Sequence, residues 1–462
     1  MEQTLIFDPE VLRRYDVSGP RYTSYPTAPQ FHEGFDDMAY AAAAAATNGE
    51  GAGRPLSLYV HVPFCDTVCF YCACNKVITG NYRRASAYLD YLEKEAELQG
   101  ALFDPERPVR QLHFGGGTPT YLGDDDLRRI MAVLGRHFRL DGSDEREFSI
   151  EIDPRAVRDA TIPLLAELGF NRVSIGVQDF DPDVQRAVNR IQPFEVTARV
   201  VAQAREHGFT STNFDLIYGL PLQTVKSYTH TLERALELRP ERLAVYNYAH
   251  LPHLFKTQRQ IREAELPDAA EKLAILETTI RRLTDAGYVY IGMDHFALPD
   301  DELAVSQRAG TLQRNFQGYS TRAEYDLVAL GPTAIGKVGA TYSQNQRDLE
   351  AYYARLDAGR LPVFRGVELT AEDRLRREVI TELMCHSCID FARIGDRHGI
   401  EFREHFADAL ARLREMEADG LIAIGDQRLE VQPRGRLLLR NIAMAFDAYL
   451  GADSGQRYSK VV

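Results

Sequence analysis

Between about residue 55 and residue 295 the chain alternates short apolar, β-branched runs with longer segments whose apolar residues recur at helical spacing. This alternation predicts repeated strand–helix units, and therefore a parallel sheet covered by helices and closed wholly or partly into a barrel. The predicted strands are Leu56–Val62, Val109–Phe114, Glu147–Ile152, Arg172–Val177, Thr212–Ile217, Leu243–Asn247 and Tyr288–Met293. The predicted helices between them are Ser86–Leu102, Asp125–Phe138, Thr161–Leu168, Phe194–His207 and Thr224–Leu238.

The pattern changes on both sides of this region. In Ser18–Thr27 a glycine and two prolines predict an extended arm, and an alanine-rich helix follows over Met38–Thr47. From about Pro362 the sequence predicts helices and one hairpin, which together indicate a winged-helix-like C-terminal domain. These elements are the helices Ala371–Met384, Ile389–His398 and Phe402–Asp419, the hairpin Gly420–Val431 and a last helix Pro433–Tyr449. We therefore predict three domains, residues 1–54, 55–360 and 361–462.

Polar residues or glycines follow six of the predicted strands at their carboxyl ends, where parallel barrels carry their functional groups. These positions are Cys65, Gly115, Glu151, Asp153, Gln178, Asp215, Tyr248 and Ala249. Each alone has an ordinary explanation, such as a helix cap, a partner for a buried backbone group or, for the nearby Arg190, a surface ion pair. Their recurrence at the same end of successive units favours a shared cleft.

Four cysteines, Cys65, Cys69, Cys72 and Cys74, lie within ten residues, and the first three have the spacing C-x3-C-x2-C. Three thiolates this close in sequence are able to hold three corners of a cubane iron–sulfur cluster. Because such clusters normally take four cysteines, one iron would remain open for a non-protein ligand. The alternatives are a disulfide, chance clustering of buried thiols and a structural zinc site, although zinc normally uses two ligand pairs separated by a longer loop.

The segment Gly115–Thr120 follows a predicted strand and precedes a predicted helix. Its three glycines allow backbone groups to approach a ligand closely, and it lacks the lysine and hydroxyl residue of a phosphate-binding loop. By itself the segment is as typical of a tight turn as of a ligand-binding loop.

The composition, with 462 residues of which 45% are hydrophobic, is that of a globular protein with a full core. No apolar run of about 18 residues and no signal-like N-terminus is found, so we expect a cytoplasmic protein without membrane contact. The two further cysteines, Cys385 and Cys388, complete no disulfide framework. We interpret them as buried, inert thiols in a helix, the alternative being a redox-active or metal-binding pair.

The formal net charge of −13 argues against a nucleic-acid partner. A small anionic substrate remains compatible with it, because local basic residues can override the overall sign inside a cleft. Basic residues near the motifs in sequence are Arg14, Arg21, Lys76, Arg83, Arg84 and Arg190, for which solvated surface positions are the ordinary alternative.

The cysteine spacing resembles that of the radical S-adenosylmethionine (SAM) enzymes, and the chain as a whole resembles one family among them, the oxygen-independent coproporphyrinogen III oxidases. The arm and Cys74 are the most specific parts of this resemblance. The similar segments are Ser18–Thr27, Cys65–Lys76, Gly115–Thr120, Ser149–Arg155, Ser174–Phe180, Val188–Arg190, Asn213–Pro221, Tyr246–Pro252, Ile291–Phe296 and Arg314–Tyr319.

The resemblance implies a partial (β/α)6 radical SAM barrel in which Cys65, Cys69 and Cys72 hold a [4Fe-4S] cluster whose open iron is chelated by SAM. The reduced cluster would split SAM to a 5′-deoxyadenosyl radical, for which the protein supplies binding and orientation. By the same resemblance a first SAM contacts Tyr59, Gly116, Glu151 and Ile335. A second SAM beside it contacts Tyr71, Gly117, Thr118, Gln178, Arg190, Asp215 and Ala249.

The activity implied is the oxidative decarboxylation of two propionate side chains of coproporphyrinogen III to vinyl groups, which gives protoporphyrinogen IX for haem synthesis. In each round the radical takes a hydrogen from the propionate β-carbon, an unidentified acceptor takes an electron, and carbon dioxide leaves. An unidentified donor reduces the cluster. We expect a monomer, with Arg21 and Tyr22 of the arm over the substrate carboxylates.

Two other functions compete with this reading. A haem chaperone built on the same scaffold would bind SAM or haem without decarboxylation, but the arm and Cys74 favour the oxidase. A metal-stabilised binding module would leave the glycine loop and the polar strand ends without a purpose.

Overall fold

The computed structural model describes residues 5–50 and 53–450, and these divide into two compact units. The barrel unit comprises Phe31–Lys272 and Glu324–Glu368. The second unit comprises the described residues up to Gln30, the segment Leu273–Ala323, and the chain from Leu369 onward. The domain boundaries given above, at residues 54/55 and 360/361, stay a prediction.

The barrel unit is built on six parallel strands, which are β1 Leu56–Val62, β2 Pro108–Gly116, β3 Glu147–Ile152, β4 Arg172–Gln178, β5 Ser211–Tyr218 and β6 Arg242–Asn247. Their order across the sheet is β6-β5-β4-β3-β2-β1. A short strand, Arg139–Leu140, pairs with the start of β2. Each of the six agrees with its predicted strand to within two residues at either end, so the predicted α/β class and parallel sheet are confirmed.

On the other side of β1 the sheet continues through four strands that the sequence analysis missed. These are β7 Asp326–Leu330, β8 Ile335–Val338, β9 Thr341–Asn345 and β10 Val363–Glu368. The first is parallel to β1 and the others are antiparallel to their neighbours. β8, β9 and β10 are short and are interrupted by glycine, serine, glutamine, asparagine or charged residues, so they lack a clear apolar pattern. β7 has an apolar run of only four residues, 327–330, which was not predicted as a strand.

Amphipathic helices accompany these strands, and most begin and end within three residues of the prediction. One example, Val225–Leu238, begins at a capping box in which Thr224 and Ser227 satisfy each other's backbone N–H groups, and its apolar face buries Leu232. The helices of the barrel unit are Asp37–Glu50, Arg83–Gly100, Asp124–His137, Thr161–Glu167, Pro182–Ala187, Phe194–Glu206, Val225–Leu238 and Leu349–Asp357. The chain leaves this unit within the helix Ala269–Asp285.

Strand β1 shows how the two faces of the sheet differ. Leu58, Val60 and Val62 are fully buried, as expected on the face that the helices cover. The alternate residues are polar or aromatic, including Tyr59 and His61, and they define the inner face of the barrel. The same alternation places polar side chains on the inner face of β2 to β5, where the candidate site lies.

The second unit contains the predicted winged-helix-like region. Its three-stranded antiparallel sheet has Arg428–Val431 in the centre, between Cys388–Asp390 and Ile422–Ile424. Its helices are Pro9–Arg14, Glu302–Ala309, Ala371–His386, Phe391–His398, Phe402–His405, Ala407–Arg412, Arg414–Ala418 and Leu439–Met444. Its other strands are Val289–Gly292, His295–Ala297, Gln313–Asn315 and Gly318–Ser320, which form two antiparallel pairs.

Several predictions for this region were wrong in detail. The predicted helix Phe402–Asp419 is broken at Phe406 and Leu413, both of which are buried in the core. The predicted last helix, Pro433–Tyr449, is shorter at both ends and covers Leu439–Met444. Beyond it the carbonyl groups of Ala445 and Phe446 accept from Arg412 and Arg376 rather than from a further helical turn. The N-terminal helix Pro9–Arg14 was not predicted.

Cys385 and Cys388 were predicted to lie in one helix, and this prediction was wrong. Cys385 is buried in the helix Ala371–His386, whereas Cys388 begins a strand. Ser387 between them has φ 57°, a left-handed conformation that ends the helix. Both thiols are free, and burial raises the pKa of each above its ordinary value, which agrees with inert thiols.

The segment Ser18–Thr27 is free of helix, as predicted, and is fastened within the second unit. Arg440 donates to the carbonyl groups of Gly19 and Pro20. Tyr22 is only 4% exposed and its hydroxyl donates to Asp447 at 2.9 Å, so the suggestion that Tyr22 contacts substrate is not supported. Arg21 forms an ion pair with Asp294.

Among the described residues, no helix is both long enough and apolar enough to cross a membrane.

Candidate active site

The four clustered cysteines lie on one closed loop that follows β1. The short strands Phe64–Cys65 and Val77–Ile78 pair in parallel and bring the two ends of the loop together. The Val77 N–H donates to the Pro63 carbonyl at 2.6 Å, which completes this closure. We call residues 65–76 the cluster loop.

Each of the three thiols with the C-x3-C-x2-C spacing has a defined neighbour. Cys65 Sγ lies 3.4 Å from Thr118 Oγ1. Cys69 Sγ accepts from guanidinium groups of both Arg155 and Arg190, each at 3.6 Å. A hydrogen bond from the Cys74 thiol, helped by the nearby Lys76 ammonium, holds the pKa of Cys72 below its ordinary value despite its burial. This shift favours the thiolate form of Cys72.

The donor set fits a cubane cluster better than a single metal ion. All six cysteines are free, which excludes a disulfide within the loop. Among the residues that the structure describes, no three His, Cys, Asp or Glu side chains converge on one point, as a structural zinc site would require. In a cubane each thiolate binds its own iron, so the separate thiols of one loop suit it. The guanidinium groups at Cys69 also balance the negative charge of thiolates and sulfides.

The glycine loop at the end of β2 packs directly against the start of the cluster loop. Gly117 N–H donates to the Val62 carbonyl and Thr118 N–H to the Phe64 carbonyl, both at 2.8 Å. A Cβ at Gly117 would lie 2.7 Å from the Phe64 carbonyl oxygen, and one at Gly116, which has φ +111°, would lie 2.7 Å from the His61 ring. Glycine is therefore required at Gly117 by the close approach of the Phe64 backbone and at Gly116 by the His61 ring of β1 and the positive φ.

Replacing Gly117 with alanine is expected to disturb this contact, because the new methyl group meets backbone atoms that have little room to shift. Overpacking of this kind costs about 1–3 kcal/mol of stability and should also lower the iron content after reconstitution. Iron and sulfide analysis with thermal unfolding tests this. Gly142→Ala is the matched control, since a Cβ there meets nothing within 4 Å. A Gly117→Ala protein with the iron content and melting temperature of the control would contradict the prediction.

Glu151 at the end of β3 connects the glycine loop with the inner face. Its carboxylate accepts from Gly116 N–H at 3.2 Å and from His113 Nε2 at 3.1 Å. Burial alone would raise the pKa of Glu151, but the hydrogen bonds from His113 and Gly116 outweigh it and hold that pKa below its ordinary value. Glu151 is thus an ionised carboxylate at neutral pH, suited to a cationic group of a ligand.

The pKa of Asp215, near the end of β5, is shifted in the opposite direction to that of Glu151. Asp215 accepts from Ser174 Oγ at 2.9 Å and Asn213 Nδ2 at 3.0 Å. Burial, followed by the negative charge of Glu151, raises the pKa of Asp215 to about 7. The inner face therefore holds one carboxylate that is fixed as an anion and one that readily carries a proton.

Two histidines join strands β1 and β2 to this array. The Tyr59 ring stacks on the His113 ring, with centroids 5.8 Å apart, and its hydroxyl is 3.1 Å from His61 Nδ1. His61 Nε2 in turn lies 3.1 Å from the carbonyl oxygen of Asn75 in the cluster loop. Neither histidine was singled out from the sequence. The signal that would have found them is the recurrence of polar residues at alternate positions of the strands.

Asp153 organises the guanidinium groups at Cys69. Its Oδ2 lies 2.6 Å from Arg155 Nη2 and 2.9 Å from Arg190 Nη1, and Arg190 Nη2 donates to the Gly176 carbonyl at 2.5 Å. Arg190 is only 6% exposed, so the alternative of a surface ion pair is wrong. Arg155 was not singled out from the sequence.

The structure gathers the remaining predicted residues at the same ends of the strands. Gln258 Nε2 donates to the carbonyls of Tyr71, at 3.0 Å, and Ala249, at 3.3 Å, and so ties the cluster loop to the segment after β6. Gln178 ends β4 with φ +69°, and Ile335 begins β8.

Most of the basic residues suggested from the sequence lie elsewhere. Arg83 and Arg84 are exposed at the start of a helix. Arg14, in the second unit, pairs with Glu415 and Asp419. Lys76 remains with the site, where its Nζ donates to the Cys72 carbonyl at 3.0 Å.

Comparison with known proteins identifies the family. Residues 59–235 match the Radical SAM superfamily and residues 369–438 match the HemN C-terminal domain. The oxygen-independent coproporphyrinogen III oxidase of Pseudomonas aeruginosa is 50% identical over 465 residues, which cover 100% of both chains. The chain belongs to the oxygen-independent coproporphyrinogen III oxidase family. The member from Escherichia coli K12 is 47% identical, over 100% of this chain and 99% of its own.

A solved structure of a family member confirms the fold. The Escherichia coli coproporphyrinogen III oxidase HemN, described as a radical SAM enzyme, superposes with a TM-score of 0.92 at 46% identity. The match covers 97% of this chain and 100% of that one. The radical SAM barrel and the helical C-terminal region are therefore confirmed, and with the superfamily come a [4Fe-4S] cluster and SAM as cofactors. The full-length relatives carry the oxidase name, which gives the chaperone alternative no support.

Proposed function

We propose that the protein catalyses the oxygen-independent oxidative decarboxylation of two propionate side chains of coproporphyrinogen III to vinyl groups, giving protoporphyrinogen IX. The observation that carries this proposal is the full-length match to relatives named for that activity. The geometry supports it, because a thiol loop suited to a cluster opens beside a polar barrel interior with one fixed anion, Glu151, and one protonatable acid, Asp215.

Cys65, Cys69 and Cys72 are the proposed cluster ligands, and Cys74 acts on Cys72 through a hydrogen bond. When bound, the cluster and SAM supply the 5′-deoxyadenosyl radical that removes hydrogen from the propionate. The chain's own contribution is to hold these groups in register. The closed cluster loop fixes the thiols, and Thr118, Arg155 and Arg190 direct hydrogen bonds at two of the sulfurs.

The proposed SAM contacts all lie in the barrel unit. The ionised Glu151 carboxylate suits the ammonium group of a first SAM, and the Gly116 backbone allows close approach. We assign the first SAM to Tyr59, Gly116, Glu151 and Ile335. We assign the second to Tyr71, Gly117, Thr118, Gln178, Arg190, Asp215 and Ala249.

The six free cysteines fit a reducing cytoplasm, which is the proposed location. The monomeric state stays a prediction, as do a separate electron donor and acceptor.

Anaerobic reconstitution tests the function directly. With SAM, a reductant and coproporphyrinogen III, we expect both 5′-deoxyadenosine and, after oxidation, protoporphyrin. Cys69→Ala should lose both products, and Cys388→Ala, which changes a thiol of the second unit, should retain them. Deoxyadenosine without a vinyl product would show that SAM is cleaved but that coproporphyrinogen III is not the substrate. It would favour another tetrapyrrole substrate or the chaperone alternative. Absence of both products with an intact, reduced cluster would contradict the enzymatic function.

A further inference from the structure

A row of side chains crosses the last three strands of the barrel-unit sheet. Ile335 of β8 is directly opposite Gln344 of β9, and Gln344 is directly opposite Arg365 of β10. Residues directly opposite one another on paired strands point to the same face of a sheet. Arg365 therefore shares a face with Ile335, and two strand spacings separate their Cα atoms by about 10 Å.

The strand register shows that this is the inner face. Tyr59 of β1 is opposite Ala329 of β7, so both point inward. Leu327, two residues before Ala329, points the same way and is opposite Lys337 of β8. Ile335, two residues before Lys337, therefore also faces inward. The row that ends at Arg365 is thus continuous with the face that carries Tyr59.

The Arg365 guanidinium is held in place without an ion pair. Its Nε donates to Gln344 Oε1 at 2.8 Å, and Gln344 is oriented by donating to the Thr333 carbonyl at 3.3 Å. The guanidinium carbon lies 5.8 Å from the centre of the Phe31 ring. Within residues 5–50 and 53–450, no carboxylate forms an ion pair with Arg365.

A second cation increases this imbalance. Burial, followed by the positive charge of Arg347, lowers the pKa of Arg365, and the negative charge of Glu33 only partly opposes them. The Arg347 carbonyl accepts from Asn75 Nδ2 at 3.0 Å, which places this residue beside the end of the cluster loop. Arg365 is half-buried, Arg347 is exposed, and Glu33 offsets their positive charge only in part. An anion that binds at Arg365 would therefore be stabilised.

We propose that Arg365, with Arg347 beside it, binds a propionate carboxylate of the tetrapyrrole substrate, one that remains in the product, and so orients the macrocycle towards the reacting groups. The planar guanidinium fork matches a carboxylate, and Gln344 occupies Nε, so the two Nη groups are left for the ligand. This inference rests on the proposed function for the identity of the ligand. SAM also carries a carboxylate, so the experiment separates the two sources.

The test measures binding to the anaerobically reconstituted protein, with coproporphyrin III, the stable oxidised form of the substrate, as the probe. The chain has no tryptophan, so the fluorescence of the porphyrin provides the signal. We expect Arg365→Gln to weaken binding about tenfold or more, where tenfold is about 1.4 kcal/mol. The affinity of Arg365→Lys for coproporphyrin III should lie between those of Arg365→Gln and the unmodified protein, because lysine keeps the charge and loses the planar fork of the guanidinium. Arg128→Gln, which removes an exposed arginine paired with Asp125 on an outer helix, should bind like the unmodified protein.

Affinity for SAM and deoxyadenosine formation without substrate should be unchanged in Arg365→Gln, whereas KM for coproporphyrinogen III should rise. Loss of SAM affinity with unchanged porphyrin binding would overturn the proposal and assign the arginine to SAM. A lowered melting temperature with both affinities reduced would also overturn it, in favour of a structural role. If the unmodified protein binds coproporphyrin through Arg365 but forms no protoporphyrin, the proposed function fails and this site stands. If the unmodified protein forms protoporphyrin and Arg365→Gln binds coproporphyrin III and forms product at the same rate, the proposed Arg365 site is wrong and the proposed function stands.

Discussion

Replacing Asp153 with alanine is expected to reduce cluster retention or activity about 10- to 100-fold, the usual effect of removing a group that orients a metal ligand. Asp153 holds Arg155 and Arg190 together, and both guanidinium groups donate to the sulfur of Cys69. Burial would raise the pKa of Asp153, but Arg190 and Arg155 hold it below its ordinary value, so the carboxylate is charged. Without it two partly buried cations face each other with no anion between them.

The measurements are iron and sulfide content and a redox titration of the cluster followed by electron paramagnetic resonance. Hydrogen bonds to a ligand sulfur stabilise the reduced, more negative cluster. The variant should therefore lose iron more readily, and any cluster that it retains should have a changed reduction potential. Asp159→Ala is the matched control, because Asp159 is an exposed partner of the exposed Arg199. Iron content and potential equal to those of the control would contradict the positioning role of Asp153.

The parallel half of the sheet could be predicted because apolar residues recur at every second position of its strands, on the face that the helices cover. β1 Leu56–Val62 and β3 Glu147–Ile152 were predicted with the bounds that the structure gives them. Strand β9 Thr341–Asn345 was missed although all five of its residues are buried, because Ser343, Gln344 and Asn345 are polar. These polar residues are buried because they meet partners elsewhere in the chain, and such long-range contacts cannot be predicted from local periodicity.

The site was predicted in part for a similar reason. The cysteine spacing is local and chemically specific, so Cys65, Cys69 and Cys72 could be selected from the sequence. The groups that act on them are distant, since Arg190 lies 121 residues beyond Cys69. Arg155 and His113 belong to common residue types and stand in no recognisable local motif. Only the fold brings Arg155 to the sulfur of Cys69 and His113 to the carboxylate of Glu151.

Glu95 also forms its hydrogen bonds with residues far away in the sequence. Its replacement is expected to cause the largest change in stability. Glu95 is fully buried in the helix Arg83–Gly100. Its carboxylate accepts from Gly331 N–H and Asn345 Nδ2, each at 2.7 Å, and from the Tyr352 hydroxyl. Gly331 directly follows β7 and Asn345 ends β9, so Glu95 fastens one helix to the segment that leads to Ile335.

Glu95→Ala should lower the free energy of unfolding by about 3–5 kcal/mol, because three buried donors lose their acceptor. Urea unfolding of the reconstituted protein measures this. Glu97→Ala, an exposed glutamate two residues along the same helix, is the matched control and should change the midpoint little. A Glu95→Ala midpoint equal to that of Glu97→Ala would show that the three hydrogen bonds contribute nothing net.

The pH dependence of stability gives an independent test of Glu95. Burial raises the pKa of Glu95 from the ordinary 4.5 to about 7, although its three hydrogen bonds act in the opposite direction. Between these two values the folded state keeps a proton that the unfolded state has lost, so this contribution is complete below about pH 4.5 and is lost as the pH rises through about 7. Glu95→Gln cannot titrate, so its stability should fall less between pH 5 and pH 8 than that of the unmodified protein. If the two proteins lose the same stability over that interval, Glu95 is already ionised at pH 5 and its hydrogen bonds outweigh its burial.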